Sequence, residues 1–169
     1  MSSLEQAVAL VETAVPDATR GLPDAVFYMV SRCTPLVNVD LLIRDEQGRT
    51  LLTWREDDFY TPGWHIPGGI VRFKERWEER ILAVAATELG VTVGFDPAPL
   101  AIQQAIVPDR ATRGHFISLL FKCHLTSSLD EALQRRGARP RNGEWEWHDG
   151  PPADLLSVHR ELYGKFIES

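Results

Sequence analysis

The stretch that decides the fold is residues 68–91, GGIVRFKERWEERILAVAATELGV. Its pattern predicts a strand, a loop and a helix, in that order. Ile70, Val71 and Phe73 are strand formers that follow a pair of glycines. Residues 76–89 are rich in Ala, Leu, Glu and Arg, which favour helix. Gly90 follows at the position where many helices end on a left-handed residue, so we expect the helix to end there.

The predicted helix carries one charged residue on its apolar side. At about 100° per residue, Trp77, Ile81, Val84 and Glu88 point in nearly the same direction. A buried carboxylate is costly unless it is paired or binds a metal. From the helix alone, Glu88 is either a side chain that reaches solvent at a frayed end or a metal ligand.

The same stretch resembles the Nudix box, G-x5-E-x7-R-E-U-x-E-E-x-G-U, where U is a bulky apolar residue. Gly69, Glu75, Glu88, Gly90 and Val91 fall on this pattern without a gap. The resemblance implies the Nudix fold, an α/β fold in which a mixed β-sheet lies between helices (α/β/α). We expect residues 1–32 to form an N-terminal helical extension and residues 33–169 to form the Nudix-like domain.

Three positions of the box depart from the pattern. Ala83, Val84 and Thr87 stand where the pattern has Arg, Glu and Glu, so Glu88 is the one carboxylate left on that side of the helix. Two hypotheses from different classes follow. The chain is a hydrolase with a reduced metal site, or it is a degenerate Nudix domain that binds a nucleotide or a protein without turnover.

Within the superfamily the chain is similar to the GDP-mannose mannosyl hydrolase branch, whose box also lacks most of these glutamates. The likeness runs from about residue 34 to residue 90. The residues that carry it are Thr34, Pro35, Leu36, Val37, Asp40, Gly48, Leu51, Leu52, Arg55, Gly63, Trp64, Pro67, Gly68, Gly69, Glu75, Glu88, Leu89 and Gly90.

This resemblance implies hydrolysis of a nucleoside-diphosphate derivative, most plausibly a nucleotide sugar, with Mg²⁺ or alternatively Mn²⁺. It places the metal between the Gly68 carbonyl and Glu88, with Glu75 and a residue from 141–148 completing the site. It assigns to Asp40 the departure of the nucleoside diphosphate and to Arg55 a contact with the diphosphate. From the residues alone, Asp40 could equally pair with a nearby arginine and Arg55 could be a solvated residue at a strand end.

In the segment 144–148, tryptophan alternates strictly with glutamate or histidine. Glu144, Glu146 and His148 therefore face one side of a predicted strand. In the related branch the preceding loop supplies a metal ligand and a general base, but Arg141 and Asn142 stand there and neither can do that work. The three polar side chains either replace those groups or form a strand face in water.

Four more residues are candidates for substrate contact. Tyr60 and Trp64 could stack on a base or a sugar, or could cover the core. Arg72 could restore a phosphate-binding charge near the box. His115, which opens the predicted strand 115–125, is expected to be structural or to contact substrate.

Two further histidines are expected to be uninvolved in chemistry. His65 precedes Ile66-Pro67-Gly68 and is interpreted as a structural edge residue. His159 lies on the last predicted helix, residues 156–167, and is expected at the surface.

Composition limits the classes of function. A net charge of −6 disfavours nonspecific nucleic-acid binding. The sequence contains no run of 18 apolar residues, so no membrane span is expected. The two cysteines, Cys33 and Cys123, fit a reduced cytoplasmic protein. Amphipathic helices predicted at residues 3–15 and 23–32 either pack on a neighbouring element or make a homodimer contact.

Overall fold

The computed structural model describes residues 2–57 and 60–168, with the side chain of Tyr60 left out. The four α-helices in this part of the chain are α1 (Ser3–Ala14), α2 (Asp24–Cys33), α3 (Trp77–Val84) and α4 (Ser157–Ile167). The strands are β1 (Leu36–Ile43), β2 (Thr50–Asp57), β3 (Tyr60–His65), β4 (Gly68–Ile70), β5 (Val93–Phe95), β6 (Ala101–Ile106), β7 (His115–Leu125) and β8 (Trp145–His148).

These strands form two sheets. In the five-stranded sheet, β4 pairs with β1, β1 with β7, and β7 with both β5 and β6. The β1–β7 pair is parallel and the others are antiparallel, so the sheet is mixed. The second sheet has the order β3-β2-β8 and is antiparallel. β7 is central to its sheet.

Helices cover both faces of the mixed sheet. Ile81 and Val84 of α3 pack into one buried cluster with Val39 and Leu41 of β1. On the opposite face, α4 contributes to a second cluster that includes Leu42 of β1. Alternate residues of β1 thus point to opposite cores, as the strand period of two requires. This α/β/α layering confirms the predicted fold class.

The helix of the box is not regular throughout. After α3 the chain continues as a single π-helical turn, Ala85–Leu89, and ends at Gly90 with φ of 67°. The left-handed end at Gly90 was predicted, whereas the π turn was not. Trp77, expected on the core face, is 43% exposed, because α3 starts at this residue and buries Ile81 and Val84 instead.

The two N-terminal helices lie close to their predicted positions. Ser2, not Ser3, caps α1, and its side chain and that of Glu5 form a reciprocal capping box. None of the residues of α1 is buried, and Leu4 and Leu10 are 73% and 72% exposed. No helix in residues 2–57 and 60–168 is long and apolar enough to span a membrane.

Candidate functional site

A cavity of about 450 Å³ is bounded by strands of both sheets, by the π turn and by α4. Its size is in the range of small-molecule sites. The polar side chains that line it are Asn38, Asp40, Thr53, Arg55, Asp57, His65, Thr87, Glu88, Arg113, Ser118, Asn142, His159 and Tyr163.

Glu88 and Gly68, two of the predicted metal-site residues, line the same cavity. Glu88 lies in the π turn, one residue before the buried Leu89. Its side chain is 30% exposed. The carboxylate is therefore accessible from the cavity while the helix end that carries it is fixed in the core.

Glu75, the third predicted metal ligand, is not among the cavity-lining residues. Arg80 donates to it from Nε and Nη2, at 2.8 and 2.7 Å, and the backbone N–H of Arg72 donates at 2.8 Å. The two charged side chains are only 16% and 11% exposed. Burial opposes ionisation of Glu75, but these hydrogen bonds outweigh it and lower its pKa. Glu75 thus holds the loop before α3 to the helix.

His65 lies opposite Glu88 in the cavity. Its Nε2 is 3.4 Å from Glu88 Oε2, and its Nδ1 is 2.8 Å from the carbonyl oxygen of Thr53. Thr53 and His65 are also register partners in the β2–β3 ladder. His65 is buried, with one ring edge directed at Glu88, so it is part of the cavity and not a residue of an outer edge.

His159, expected at the surface, also lines the cavity. Its ring makes an edge contact with that of His65, with centroids 5.7 Å apart, and Nδ1 accepts from the backbone N–H of Ile66 at 3.3 Å. Desolvation lowers the pKa of His159 well below its ordinary value, and the neighbouring His65 and Arg55 lower it further. The imidazole is therefore held neutral near physiological pH.

Asp40 is buried in the cavity wall. Its Oδ2 accepts hydrogen bonds from the hydroxyl of Tyr163, at 2.5 Å, and from Ser118. Removal from water raises the pKa of Asp40, and the hydrogen bonds from Ser118 and Tyr163 offset part of that rise. Among the described residues, the partners of this carboxyl group are the hydroxyls of Ser118 and Tyr163 and the side chain of Asn38, and not the arginine that was the alternative expectation.

Gly68 has no room for a side chain. A Cβ at this position would collide with Oδ1 of Asp40 and would lie 2.9 Å from the carbonyl oxygen of Val39. The pair Asp40–Gly68 in the β1–β4 register brings the two backbones this close. Glycine is required here by packing, and it fixes the position of Asp40.

Arg55 lines the cavity from β2, and its Nε donates to Asp57. Asn142 approaches from the loop before β8, where its Oδ1 accepts from the backbone N–H of Glu56 at 2.9 Å. A guanidinium and an amide therefore lie on the same cavity as Glu88.

Glu144, Glu146 and His148 are not among the cavity-lining residues. Glu144 is buried against Arg141, whose backbone N–H and Nε donate to it at 2.9 and 2.7 Å and lower its pKa. Glu146 pairs with Arg135 at 2.8 Å. His148 packs on Trp64, with ring centroids 4.8 Å apart. These side chains have structural partners, so the predicted base is not brought to the cavity from this face.

The four other predicted substrate contacts are also away from the cavity or outside the described part of the chain. Trp64 is 1% exposed and packs on Trp54, so it covers the core and cannot stack on a ligand in this conformation. Arg72 is exposed and does not line the cavity. His115 contacts Gln104 at 2.9 Å and does not line it either. The side chain of Tyr60 lies outside the described residues.

Sequence reasoning missed Ser118, Tyr163 and His159 as residues of the site. A signal existed for each. Ser118 interrupts the apolar run of β7, and His159 and Tyr163 are four residues apart on α4, in line with its buried side. A buried polar side chain needs a hydrogen-bonding partner, and these three side chains find their polar surroundings at the cavity.

The polar groups of the cavity can hold a divalent ion only if water or substrate supplies further ligands. Among the described residues there is no group of three His, Cys, Asp or Glu side chains placed to hold a metal. Glu88 and the Gly68 segment are nevertheless on one wall. Mg²⁺ is commonly bound through one or two carboxylates together with waters and substrate phosphates, and such an ion fits this wall.

Comparison with known proteins agrees with this architecture. The family model described as NUDIX domain matches residues 34–167. A curated relative, the low-salt glycan biosynthesis protein Agl8 of Haloferax volcanii, is 40% identical over 78 residues, which are 46% of this chain and 49% of that protein. The match thus spans about half of that relative.

Two solved structures share the fold. The MutT NUDIX hydrolase from Burkholderia pseudomallei has a TM-score of 0.59 at 23% identity, over 78% of this chain and 98% of that chain. A possible asymmetric diadenosine tetraphosphate hydrolase from Jonesia denitrificans has a TM-score of 0.59 at 20% identity, over 76% of this chain and 90% of that chain. Since the family model covers most of the sequence, the chain belongs to the NUDIX family.

Proposed function

We propose that this protein hydrolyses a nucleoside-diphosphate derivative, specifically a nucleotide sugar, with the help of a divalent metal, Mg²⁺ or Mn²⁺. The observation that carries the proposal is the meeting of Glu88, Gly68, Arg55 and Asp40 on one cavity of about 450 Å³. A carboxylate that can hold a metal and an arginine that can bind phosphate oxygens are the two groups that a diphosphate needs.

The residues have separate tasks in this proposal. Glu88 and the Gly68 segment would hold the metal, which when bound neutralises and aligns the diphosphate. Arg55 would bind phosphate oxygens with its planar fork. Asp40 would act on the leaving-group side, where Ser118 and Tyr163 fix the orientation of its carboxyl group.

The choice of a nucleotide sugar rests on two supports. One is the resemblance in residues 34–90 to the mannosyl hydrolase branch. The other is the 40% identity over 78 residues to a protein described as acting in glycan biosynthesis.

We also propose a homodimer in the cytoplasm. The exposed apolar side chains of α1 support the dimer, and the two free thiols, Cys33 and Cys123, support the cytoplasmic location. Sedimentation analysis of the whole chain tests the dimer.

The test of the function is a screen of nucleotide sugars and nucleoside diphosphates, with Mg²⁺ and with Mn²⁺, in ¹⁸O-labelled water. The proposal expects a metal-dependent product. Label in the sugar means that water attacks the anomeric carbon, and label in phosphate means attack at phosphorus.

A second function is favoured by one specific observation, the lack of three grouped metal-ligating side chains among the described residues. In that case the domain binds a nucleotide without turnover. The same screen separates the two functions, because a ligand that binds only the folded state raises the melting temperature even when no product forms.

A further inference from the structure

His65 and Glu88 present two potential metal-ligating atoms to each other. His65 Nε2 and Glu88 Oε2 are 3.4 Å apart. Two ligands at about 2.1 Å from one ion are separated by about 3.0 Å at a right angle and by about 3.4 Å at a tetrahedral angle. The observed separation equals the tetrahedral value and exceeds the right-angle value by about 0.4 Å, so a small side-chain shift lets one ion bind both atoms.

The hydrogen bond on the other side of the ring decides which nitrogen is available. Nδ1 of His65 lies 2.8 Å from the backbone carbonyl oxygen of Thr53, which can only accept. Nδ1 must therefore carry a proton, and in the neutral ring the lone pair of Nε2 faces the carboxylate of Glu88. The hydroxyl of Thr53 is also 3.4 Å from Nε2, and a proton or a metal ion between Nε2 and the carboxylate stabilises the pair further.

The surroundings of His65 are those of metal-binding histidines. Such histidines usually donate their second ring N–H to a carboxylate, a backbone carbonyl or a water, which fixes the ring. Here the acceptor is the carbonyl of Thr53, the register partner of His65, so the β2–β3 ladder holds ring and acceptor together. His65 is 8% exposed, and its open edge is toward the cavity.

We propose that Nε2 of His65 is a direct ligand of the ion that Glu88 holds, and that this ion is a divalent transition metal such as Mn²⁺ in preference to Mg²⁺. The inference rests on the proposed function for the role of Glu88. The physical reason for the preference is that Mg²⁺ takes oxygen ligands almost alone, whereas first-row transition metals also accept an imidazole nitrogen, Mn²⁺ the most weakly of the series. One nitrogen ligand therefore adds affinity for Mn²⁺ and little for Mg²⁺.

The first experiment is electron spin-echo spectroscopy of the wild-type protein loaded with Mn²⁺. A modulation from a directly bonded imidazole nitrogen is expected. It should disappear in His65→Gln and persist in His124→Gln, a matched change of an exposed histidine away from the cavity. Absence of the nitrogen signal in the wild type, or its persistence in His65→Gln, overturns the inference. Because the wild-type spectrum already decides, misfolding of His65→Gln does not remove the test.

The second experiment compares affinities, with free Mn²⁺ measured by electron paramagnetic resonance and Mg²⁺ measured by competition. His65→Gln should weaken Mn²⁺ binding roughly tenfold or more and leave Mg²⁺ binding nearly unchanged. Equal loss for both ions overturns the inference. If Glu88→Gln loses Mn²⁺ while His65→Gln does not, this inference fails and the proposed function stands. If Glu88→Gln binds Mn²⁺ as tightly as the wild type, the proposed metal site itself fails.

Discussion

Arg80 forms two hydrogen bonds to the carboxylate of Glu75, at 2.8 and 2.7 Å, across the loop that leads into α3. Both side chains are largely shielded from water. A neighbouring pair, Arg76 with Glu78, lies in the same segment but is more exposed, with Arg76 at 74%. The two pairs offer a matched comparison of a shielded and a solvated ion pair.

Loss of the shielded pair should cost stability. We expect Arg80→Ala to lower the free energy of unfolding by about 1 to 3 kcal/mol, because Glu75 is left partly buried without its partner. Arg76→Ala should change stability little, since exposed pairs contribute little. Urea unfolding of both variants measures this. Equal effects of the two substitutions would show that the shielding of Glu75 is unimportant.

The same pair predicts a pH dependence. The pKa of Glu75 is lowered in the folded state, so its stabilising contribution is present above the unfolded pKa and is lost as the pH falls through the folded pKa. The stability difference between wild type and Arg80→Ala should therefore shrink below about pH 4. A difference that stays constant from pH 7 to pH 3 would contradict this assignment.

The contribution of Asp40 to stability should depend on pH in the opposite direction to that of Glu75. Burial raises its pKa, so its contribution to stability is fully present below the unfolded pKa and is lost as the pH rises through the folded pKa. Tyr163→Phe removes one hydroxyl donor and should destabilise the protein by about 1 to 3 kcal/mol at neutral pH, where the carboxylate needs that donor most. In an Asp40→Asn background the same substitution should cost less. A double-mutant cycle in urea with no coupling between the two positions would refute the contact.

His159 should stay neutral over the usual working range, because desolvation lowers its pKa. Its imidazole resonances, assigned by their loss in His159→Gln, should not titrate between about pH 8 and 6. Stability should fall as the pH drops through the lowered folded pKa, since the ring must then be charged inside the protein. Titration of His159 with a midpoint near 6.5 would contradict its place in the cavity.

Much of the fold follows from local sequence pattern. The run 115–125 predicts a central strand with the bounds that β7 has, because an apolar stretch of this length can be covered on both faces. Gly90 marks the helix end because a left-handed residue there suits glycine. Both features depend on neighbouring residues alone, so the sequence displays them directly.

Other elements depend on contacts that the local pattern does not show. β3 contains Pro62 and Gly63, which disfavour a strand, yet it pairs with β2 through a register shift next to Arg55. The π turn has no sequence signal of its own. It interrupts the 100° period after Val84, so that period cannot fix the direction of Glu88.

The candidate site was predictable only in part. Glu88 follows from the box pattern and Gly68 from the resemblance to the mannosyl hydrolase branch, and both line the cavity. The alternation in 144–148 predicts correctly that three polar side chains share a face, but it cannot say which face meets the cavity. His159 comes from an element about 70 residues further along the chain than Glu88, and only the tertiary packing of α4 brings the two to one wall.

The most direct test of the central claim is metal-dependent turnover in Glu88→Gln. With a substrate found in the screen, we expect turnover to fall roughly a hundredfold or more, because a bound metal supplies several kcal/mol of transition-state stabilisation. Glu46→Gln, the same change at an exposed turn residue, should leave turnover unchanged. A folded Glu88→Gln variant that turns over substrate at the wild-type rate with the same metal dependence would contradict the claim that this cavity is the hydrolytic site.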